Sequence, residues 1–334
     1  MIGAAGTVGK ELINQLLESD KFSPSEVIGI DNNETELFFV DHHFSTFVNA
    51  RFYLADIRNA EACNHYMEGI DIVFHTAALK HVILCEKSPM EAVQTNILGM
   101  ENLISAAKMR GVERFVFTSS DKAVNPTNVM GTSKLMGERL ITAANSNQKG
   151  VKTIFSSTRF GNVLGSSGSV IPVFKKQIQA GQPVSLTDER MTRFVMSIKD
   201  AVKLVIDSAC FAKGGEVFIT KMPVIRIKDL AEVMIEELAP KAGYKVGDIP
   251  IVEIGSKPGE KLYEELMSDE ETGRAVELKE YFSVLPAFRQ VYQDIDYNYG
   301  DLVSTKVSNP YISADEQSLN KKELKDFLVE HKLI

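Results

Sequence analysis

Short β-branched and apolar runs alternate with helical patterns of ten or more residues through the first half of the chain. That alternation restricts it to parallel strands joined by right-handed crossovers. The runs are Val27–Ile30, Ala50–Leu54, Ile70–His75, Arg114–Ser119 and Val151–Arg159, and the helical stretches are Thr7–Glu18, Asn59–Glu68, Pro89–Arg110 and Val129–Asn145. Ile70–Phe74 is nearly continuous in apolar character, as suits a strand covered on both faces. The expected class is α/β with a doubly wound parallel sheet. After about residue 160 the pattern changes: Gly, Pro and short mixed elements dominate Gly161–Thr192, followed by helical segments at Lys199–Phe211, Lys228–Leu238 and Asn320–His331. The expected division is a dinucleotide-binding region over 1–160 and a smaller lobe over 161–334, partly interleaved with it, that mainly supplies substrate contacts.

Composition narrows the function classes. With 334 residues, 44% hydrophobic and 25% charged, the chain can bury a large core. A net charge of -8 argues against a surface built for nucleic acid or an anionic membrane. An anionic ligand would need a local cationic pocket. No apolar run approaches the roughly 20 residues that span a bilayer and no leader is recognised, so the expectation is a cytoplasmic protein with neither nucleic-acid nor membrane partners. Cys63, Cys85 and Cys210 are odd in number and widely spaced, which reads as buried reduced thiols. His42-His43, taken as strand neighbours, would point oppositely and lack a completing cluster, so no metal is expected.

The glycines Gly3, Gly6 and Gly9 open the first helix, where free N–H groups and the positive dipole end can hold a pyrophosphate, with Thr7 and Val8 beside them. Only Met1 and Ile2 precede Gly3. A strand of about five residues should stand there, so the first strand reads as truncated and the sequence as starting inside a longer frame. Asp31 ends the next strand about 20 residues beyond the last glycine, where an acid bonds ribose hydroxyls and disfavours a 2′-phosphate. NAD is therefore favoured over NADP. Asp56-Ile57 follow the third strand at the sheet's carboxyl edge, although Asp56-Ile57-Arg58 also reads as a helix cap with a surface ion pair. Ala77-Ala78 follow the fourth, small enough for a cofactor to lie against the backbone. Together these describe a Rossmann-type site.

The stretch Phe117-Thr118-Ser119-Ser120-Asp121-Lys122, followed by Met130 and Lys134 on one helix face, carries the sharpest signal. Here the chain resembles the extended short-chain dehydrogenases. It is most similar to the nucleotide-sugar 4,6-dehydratases of polysaccharide biosynthesis that act on UDP-N-acetylglucosamine. The match includes the glycine motif, Ala77–Val82, Thr95–Gly99, Arg159–Ser166, Thr192–Phe194 and Lys257–Leu262, and covers residues 1 to about 266. The superfamily normally places Tyr four residues before the helix lysine. This chain has Met130 there, as a methionine-bearing subgroup does, and a thioether takes no proton. The base for the sugar O4 proton is thus unassigned.

The resemblance implies a redox-neutral sequence in which C4 is oxidised, water is lost across C5 and C6, and hydride returns to C6, giving a 4-keto-6-deoxy sugar. It makes Asp121 the acid at O6 and Lys122 the base at C5, chemistry that suits pKa values pushed toward neutrality. Ser120 would bond O4, and Lys134 would bind the nicotinamide ribose. Lys80, Asn162, Arg193, Lys257 and Glu260 are candidates for contacts to sugar, diphosphate or ribose, Arg being suited to bidentate phosphate binding; Glu260 also reads as a helix-start acid. The methionines of Met130–Met136 and Met191–Met196 read as packing. A homo-oligomer through Pro89–Arg110 and Val129–Asn145 is expected, as in related enzymes. The alternatives are a nucleotide-sugar epimerase, a dehydratase that also inverts C5, and a non-catalytic dinucleotide-binding regulator.

Overall fold

A computed structural model describes residues 1–19, 22–146, 153–166, 168–255, 259–288 and 295–334. Strands β1 (Val27–Asp31), β2 (Ala50–Leu54), β3 (Ile72–His75), β4 (Arg114–Ser120) and β5 (Ile154–Phe160) run parallel, as the alternation requires. Val217–Thr220 continues the parallel order beside β5. Tyr281–Val284, Ala275–Leu278 and Leu302–Ser304 then add antiparallel strands at that edge. The second half of the sequence thus interleaves with the first by extending its sheet.

Residues alternate across β4, and the two faces feed separate cores. Phe115 and Phe117 pack with Leu103, Ile104 and Ile141 of helices Gly99–Arg110 and Val129–Ala144. Val116 turns the other way, toward the core that holds Leu12 of Thr7–Glu18 (α1) and Val202 and Val205 of Ile198–Phe211. Helices on both faces make the sheet doubly wound. A further core, including Phe174, Ile178, Leu230, Met234 and Leu324, joins helices Val170–Gln179, Ile227–Leu238 and Lys321–Glu330 beside the short strands Thr192–Met196 and Val184–Leu186.

Between β1 and β3, where the order of strands reverses, lie Met1 and Ile2. Ile2 bridges in parallel to both Ile30 and His75; its N–H donates to the Phe74 carbonyl at 2.9 Å, and Ile30 N–H donates to the Met1 carbonyl at 2.8 Å. The Met1 ammonium donates to the Ile28 carbonyl at 2.6 Å, and burial pushes its pKa down to about 5. The glycine turn leaves the sheet at this switch point, where open α/β sheets bind ligands.

Several expectations need correction. His42 and His43 close the helix Glu34–His43 rather than lying in a strand. Cys63 and Cys85 are buried, but Cys210 is exposed near the end of Ile198–Phe211. The helical span Pro89–Arg110 contains a π-helical turn at Val93–Leu98, a feature frequent at functional sites. Residues 151–152 of the fifth expected strand lie outside the described residues. Among the described residues, no helix is long and apolar enough to cross a membrane.

Candidate functional site

Two glycines shape the cradle at the start of α1. Gly3 has φ +86°, and a Cβ there would sit 2.6 Å from the Ala77 nitrogen; a Cβ on Gly9 would stand 2.1 Å from the Gly3 carbonyl oxygen. Only the bare backbone allows strand end, helix and Ala77 to meet. Asp31 staples the turn, its Oδ2 accepting from Ala5 N–H and its Oδ1 from Asn33 N–H, both at 3.0 Å. A cavity of about 610 Å³ opens along this edge. It is lined by Gly3, Gly6, Thr7, Val8, Asp31, Ile57, Ala77, Ala78 and Lys80, and continues to Ser120, Asp121, Lys122, Met130 and Lys134. Burial pushes the Lys80 ammonium down.

Two expected cofactor residues stand apart from the wall. Gly9 acts through helix packing, and the Asp56 carboxylate is clamped by Arg58 at 2.6 Å, which holds it below the usual carboxylate range. Asp56 is therefore the ion-pair partner that the sequence also allowed, while its neighbour Ile57 lines the cavity. The cradle, free helix N-terminus and cavity size fit a dinucleotide pyrophosphate.

At the other end of the cavity, β4 runs into a single 3₁₀ turn, Asp121–Ala123, and helix Val129–Ala144 then packs over it. Asn128 caps that helix by accepting from Gly131 N–H at 2.8 Å. Gly131 is the closest point of approach: a Cβ there would lie 2.2 Å from the Lys122 carbonyl oxygen. Gly131→Ala should push the helix, and with it Met130 and Lys134, away from Asp121 and Lys122. Since displacements near 1 Å cost about 10²-fold, turnover should fall by about that factor while the variant remains folded by circular dichroism.

Asp121 is 1% exposed. Its Oδ1 accepts from Ser120 Oγ at 2.6 Å, Lys122 N–H at 2.9 Å and Lys122 Nζ at 3.1 Å, whereas its buried Oδ2 has no partner. Lys122 Nζ also stands 3.2 Å from Glu264 Oε1. This corrects the expectation of a lysine drawn toward neutrality. Burial lowers the ammonium's pKa, but the carboxylates of Asp121 and Glu264 outweigh it and hold Lys122 above its ordinary value. The second lysine behaves otherwise. Burial brings Lys134 down to about 8, its Nζ donating to the Thr118 carbonyl at 2.9 Å and standing over the Phe117 ring. Met130 is buried and lines the cavity; His75, at the end of β3, is buried, which pushes it down to about 3 and keeps it neutral.

A second cavity of about 410 Å³ shares Lys122 and Asn162 with the first. Arg193, Glu260 and Glu264 line it with the apolar side chains of Val170, Phe174 and Ile254. Asn162 Nδ2 donates to the Phe194 carbonyl at 3.2 Å. The Arg193 guanidinium donates to the carbonyls of Thr192, Lys261 and Leu262 at 2.7–3.1 Å, so much of its fork is already engaged. No helix starts at Glu260; the chain there runs irregularly into the strand Glu265–Met267. Lys257 lies outside the described residues. Lys80 falls in the first cavity and not the second.

Three residues that shape the site went unsingled in the sequence. Glu264 sits inside an acidic pair, Glu264-Glu265, whose polarity alone marks nothing. Asn96, in the π-helical turn, bonds both the Leu79 N–H and carbonyl and donates to Ser133 Oγ at 2.9 Å, tying the Ala77–Lys80 loop to the Met130 helix. Arg159 is buried between Glu138 and Glu271, 2.7 and 2.8 Å away.

The family described as polysaccharide biosynthesis protein matches residues 1–286. An uncharacterized membrane protein of Methanocaldococcus jannaschii is 48% identical, covering 98% of this chain and 94% of its own. A UDP-N-acetylglucosamine 4,6-dehydratase (inverting) of Campylobacter jejuni is 36% identical over 98% and 95%, and a UDP-glucose 4-epimerase of Rickettsia canadensis 35% over 98% and 94%. The crystal structure of Pen from Bacillus thuringiensis superposes with a TM-score of 0.91 at 41% identity, covering 100% of this chain and 97% of that one.

Proposed function

The chain belongs to the polysaccharide biosynthesis protein family, among the nucleotide-sugar-modifying short-chain dehydrogenases, and from that premise we propose that it dehydrates a UDP-N-acetylhexosamine, UDP-N-acetylglucosamine first, to the 4-keto-6-deoxy sugar. The observation that carries this reading is the ion pair of buried Asp121 with half-buried Lys122, which lines both cavities. The dinucleotide belongs in the glycine cradle of residues 1–160, and the nucleotide sugar in the cavity built mainly from 161–334. Asp31 lines the cradle, and an acid at this point disfavours a 2′-phosphate, which supports NAD as the preferred form. When bound, the nicotinamide supplies reversible hydride transfer, which leaves the reaction without net oxidation.

The chain's own groups handle the protons at C5 and O6. Ser120, already bonded to Asp121, presents its hydroxyl toward the sugar O4. Lys122 takes the C5 proton once a C4 ketone has made it acidic. Asp121 gives a proton to O6 as it leaves. Asn162, Arg193 and Glu260 hold the diphosphate and ribose, with Lys257 as a further contact; Lys80, in the first cavity, is left to the sugar end that reaches toward the dinucleotide, and Lys134 addresses the nicotinamide ribose. An epimerase needs no acid at O6, so the buried Asp121 favours dehydration over the activity named for the Rickettsia relative.

Incubation with a panel of UDP, GDP and dTDP sugars tests the reading by mass spectrometry. Loss of one water from a UDP-N-acetylhexosamine, without net consumption of dinucleotide, is expected. A new stereoisomer of unchanged mass would make the protein an epimerase, and silence across the panel would leave a dinucleotide-binding regulator. Proton NMR of the product reads retention or inversion at C5. Helices Gly99–Arg110 and Val129–Ala144, which expose Met109 and Met136, form the proposed homo-oligomer contact; sedimentation as monomer only would remove it.

A further inference from the structure

We propose that Lys261 and Glu265 are positioning residues that clamp the turn carrying Asp121 and Lys122, an inference that rests on the dehydration proposed above. The clamp runs from the wall of the second cavity to the exit of that turn.

The turn is fixed at its entry by β4, and Val124 N–H closes it by donating to the Asp121 carbonyl at 3.1 Å. Its exit is the irregular part. Asn125 has φ +43°, a left-handed conformation that asparagine tolerates better than most side chains. Pro126 follows, and a proline disfavours right-handed helical backbone at the residue before it. Two side chains from the second half of the chain take hold at this exit. Lys261 Nζ donates to the Val124 carbonyl at 3.0 Å, and Asn125 Nδ2 donates to Glu265 Oε2. Lys261 and Glu265 face each other at 3.8 Å, their side chains 16% and 11% exposed. Nearby, the Gly259 carbonyl accepts from Thr127 Oγ1 at 3.3 Å and Asn128 Nδ2 at 3.2 Å, so the grip extends to the cap of the helix bearing Met130 and Lys134.

A clamp needs a firm mount. Thr192 N–H and the Arg193 guanidinium donate to the Leu262 carbonyl, and Arg193 also donates to that of Lys261. Glu264 N–H donates to Ser313 Oγ and Ser313 N–H to the Glu264 carbonyl, both at 2.9 Å. Glu265 pairs with Ile312 in a short antiparallel sheet. Residues 259–265 are thus anchored to the second half of the chain, while Gly259, Lys261 and Glu264 line the second cavity. A cation on that wall also suits a diphosphate. The clamp is favoured because the Lys261 ammonium is already engaged by the Val124 carbonyl and faces Glu265.

The test compares three variants. Lys261→Met keeps the stem and removes the donor, and Lys261→Arg restores one. Asn125→Gly, at an exposed position, suits φ +43° and has no side chain for Glu265 to hold. A turn displaced by about 1 Å costs about 10²-fold, so Lys261→Met should lose about that factor in kcat at nearly constant KM for the nucleotide sugar. Asn125→Gly should also lose kcat at constant KM, and Lys261→Arg should recover most of what Lys261→Met loses. A rise in KM with kcat unchanged would make Lys261 a diphosphate contact and overturn the clamp. Equal losses in Lys261→Met and Lys261→Arg, with Asn125→Gly at the wild-type rate, would also overturn it. A second readout needs no activity. Amide hydrogen exchange at Lys122 and Val124, followed by NMR, should quicken about tenfold in Lys261→Met and Asn125→Gly while the core strands keep wild-type protection. Unchanged exchange at those two amides overturns the proposal even if the wild type dehydrates sugars. Faster exchange in a protein that dehydrates none supports the clamp and overturns only the reading of function.

Discussion

Asp121→Asn should lower the rate of dehydration by about 10²–10⁴-fold, the contribution of a positioned general acid, with little change in fold or in dinucleotide retention. The amide keeps the acceptor that Ser120 Oγ, Lys122 N–H and Lys122 Nζ use at Oδ1, so the local hydrogen bonds persist. What it removes is the capacity of the partnerless Oδ2 to carry and release a proton. The loss should therefore appear in kcat with KM nearly unchanged. Because the variant retains Lys122, it should still exchange the C5 proton with deuterated solvent. Steady-state kinetics and NMR of recovered substrate check both parts. A loss below about tenfold, or a loss confined to KM, would take Asp121 out of the acid role.

The largest effect on stability is expected at Arg159. Its guanidinium donates through Nε and Nη2 to Glu138, through both Nη atoms to Glu271, and through Nη1 to the Leu266 carbonyl. It thereby joins β5, the helix bearing Met130 and Lys134, and the short helix Asp269–Thr272. Replacing it by Met strips Glu138 of its ion-pair partner and leaves Glu271 to Arg274 alone, 3.3 Å away, a loss of about 3–5 kcal/mol, to be read from urea unfolding. The pH dependence has a definite sign. Burial would raise Glu271, but Arg159 holds it at about 2 against an ordinary 4.5. A depressed carboxyl adds stability that is complete above the unfolded value and lost as pH falls from about 4.5 toward 2. That acid-limb loss should be shallower in Arg159→Met. Equal stability and an unchanged acid limb would show that the triad contributes nothing net.

Much of this architecture was legible before any coordinates. Short β-branched and apolar runs and helical stretches marked β1 to β5 and α1 to within a few residues, because strands such as β3 and β4, covered by helices, keep a nearly continuous apolar signature. The cradle was legible because positive φ and close approach at Gly3 and Gly9 select glycine. What escaped depends on contacts distant in sequence. Arg114–Ser119 reads as a strand wherever it lies, but nothing in Arg159 itself announces Glu138 and Glu271, 21 and 112 residues away. Lys122 looked like an amine free to be tuned downward, because Glu264 meets it only after the second half of the chain has folded back beside the turn. The Asp56-Ile57-Arg58 segment shows the reverse: the ion pair of Asp56 with Arg58 is local enough to be legible, and Ile57 between them lines the cavity.

Tracing deuterium placed at sugar C4 tests the central claim most directly. With UDP-[4-²H]-N-acetylglucosamine, the account requires a product lighter by one water that carries the deuterium at C6, because the hydride removed at C4 is returned there. Deuterium still at C4 in a sugar of unchanged mass, or lost to solvent while dinucleotide is consumed in proportion to product, would contradict it.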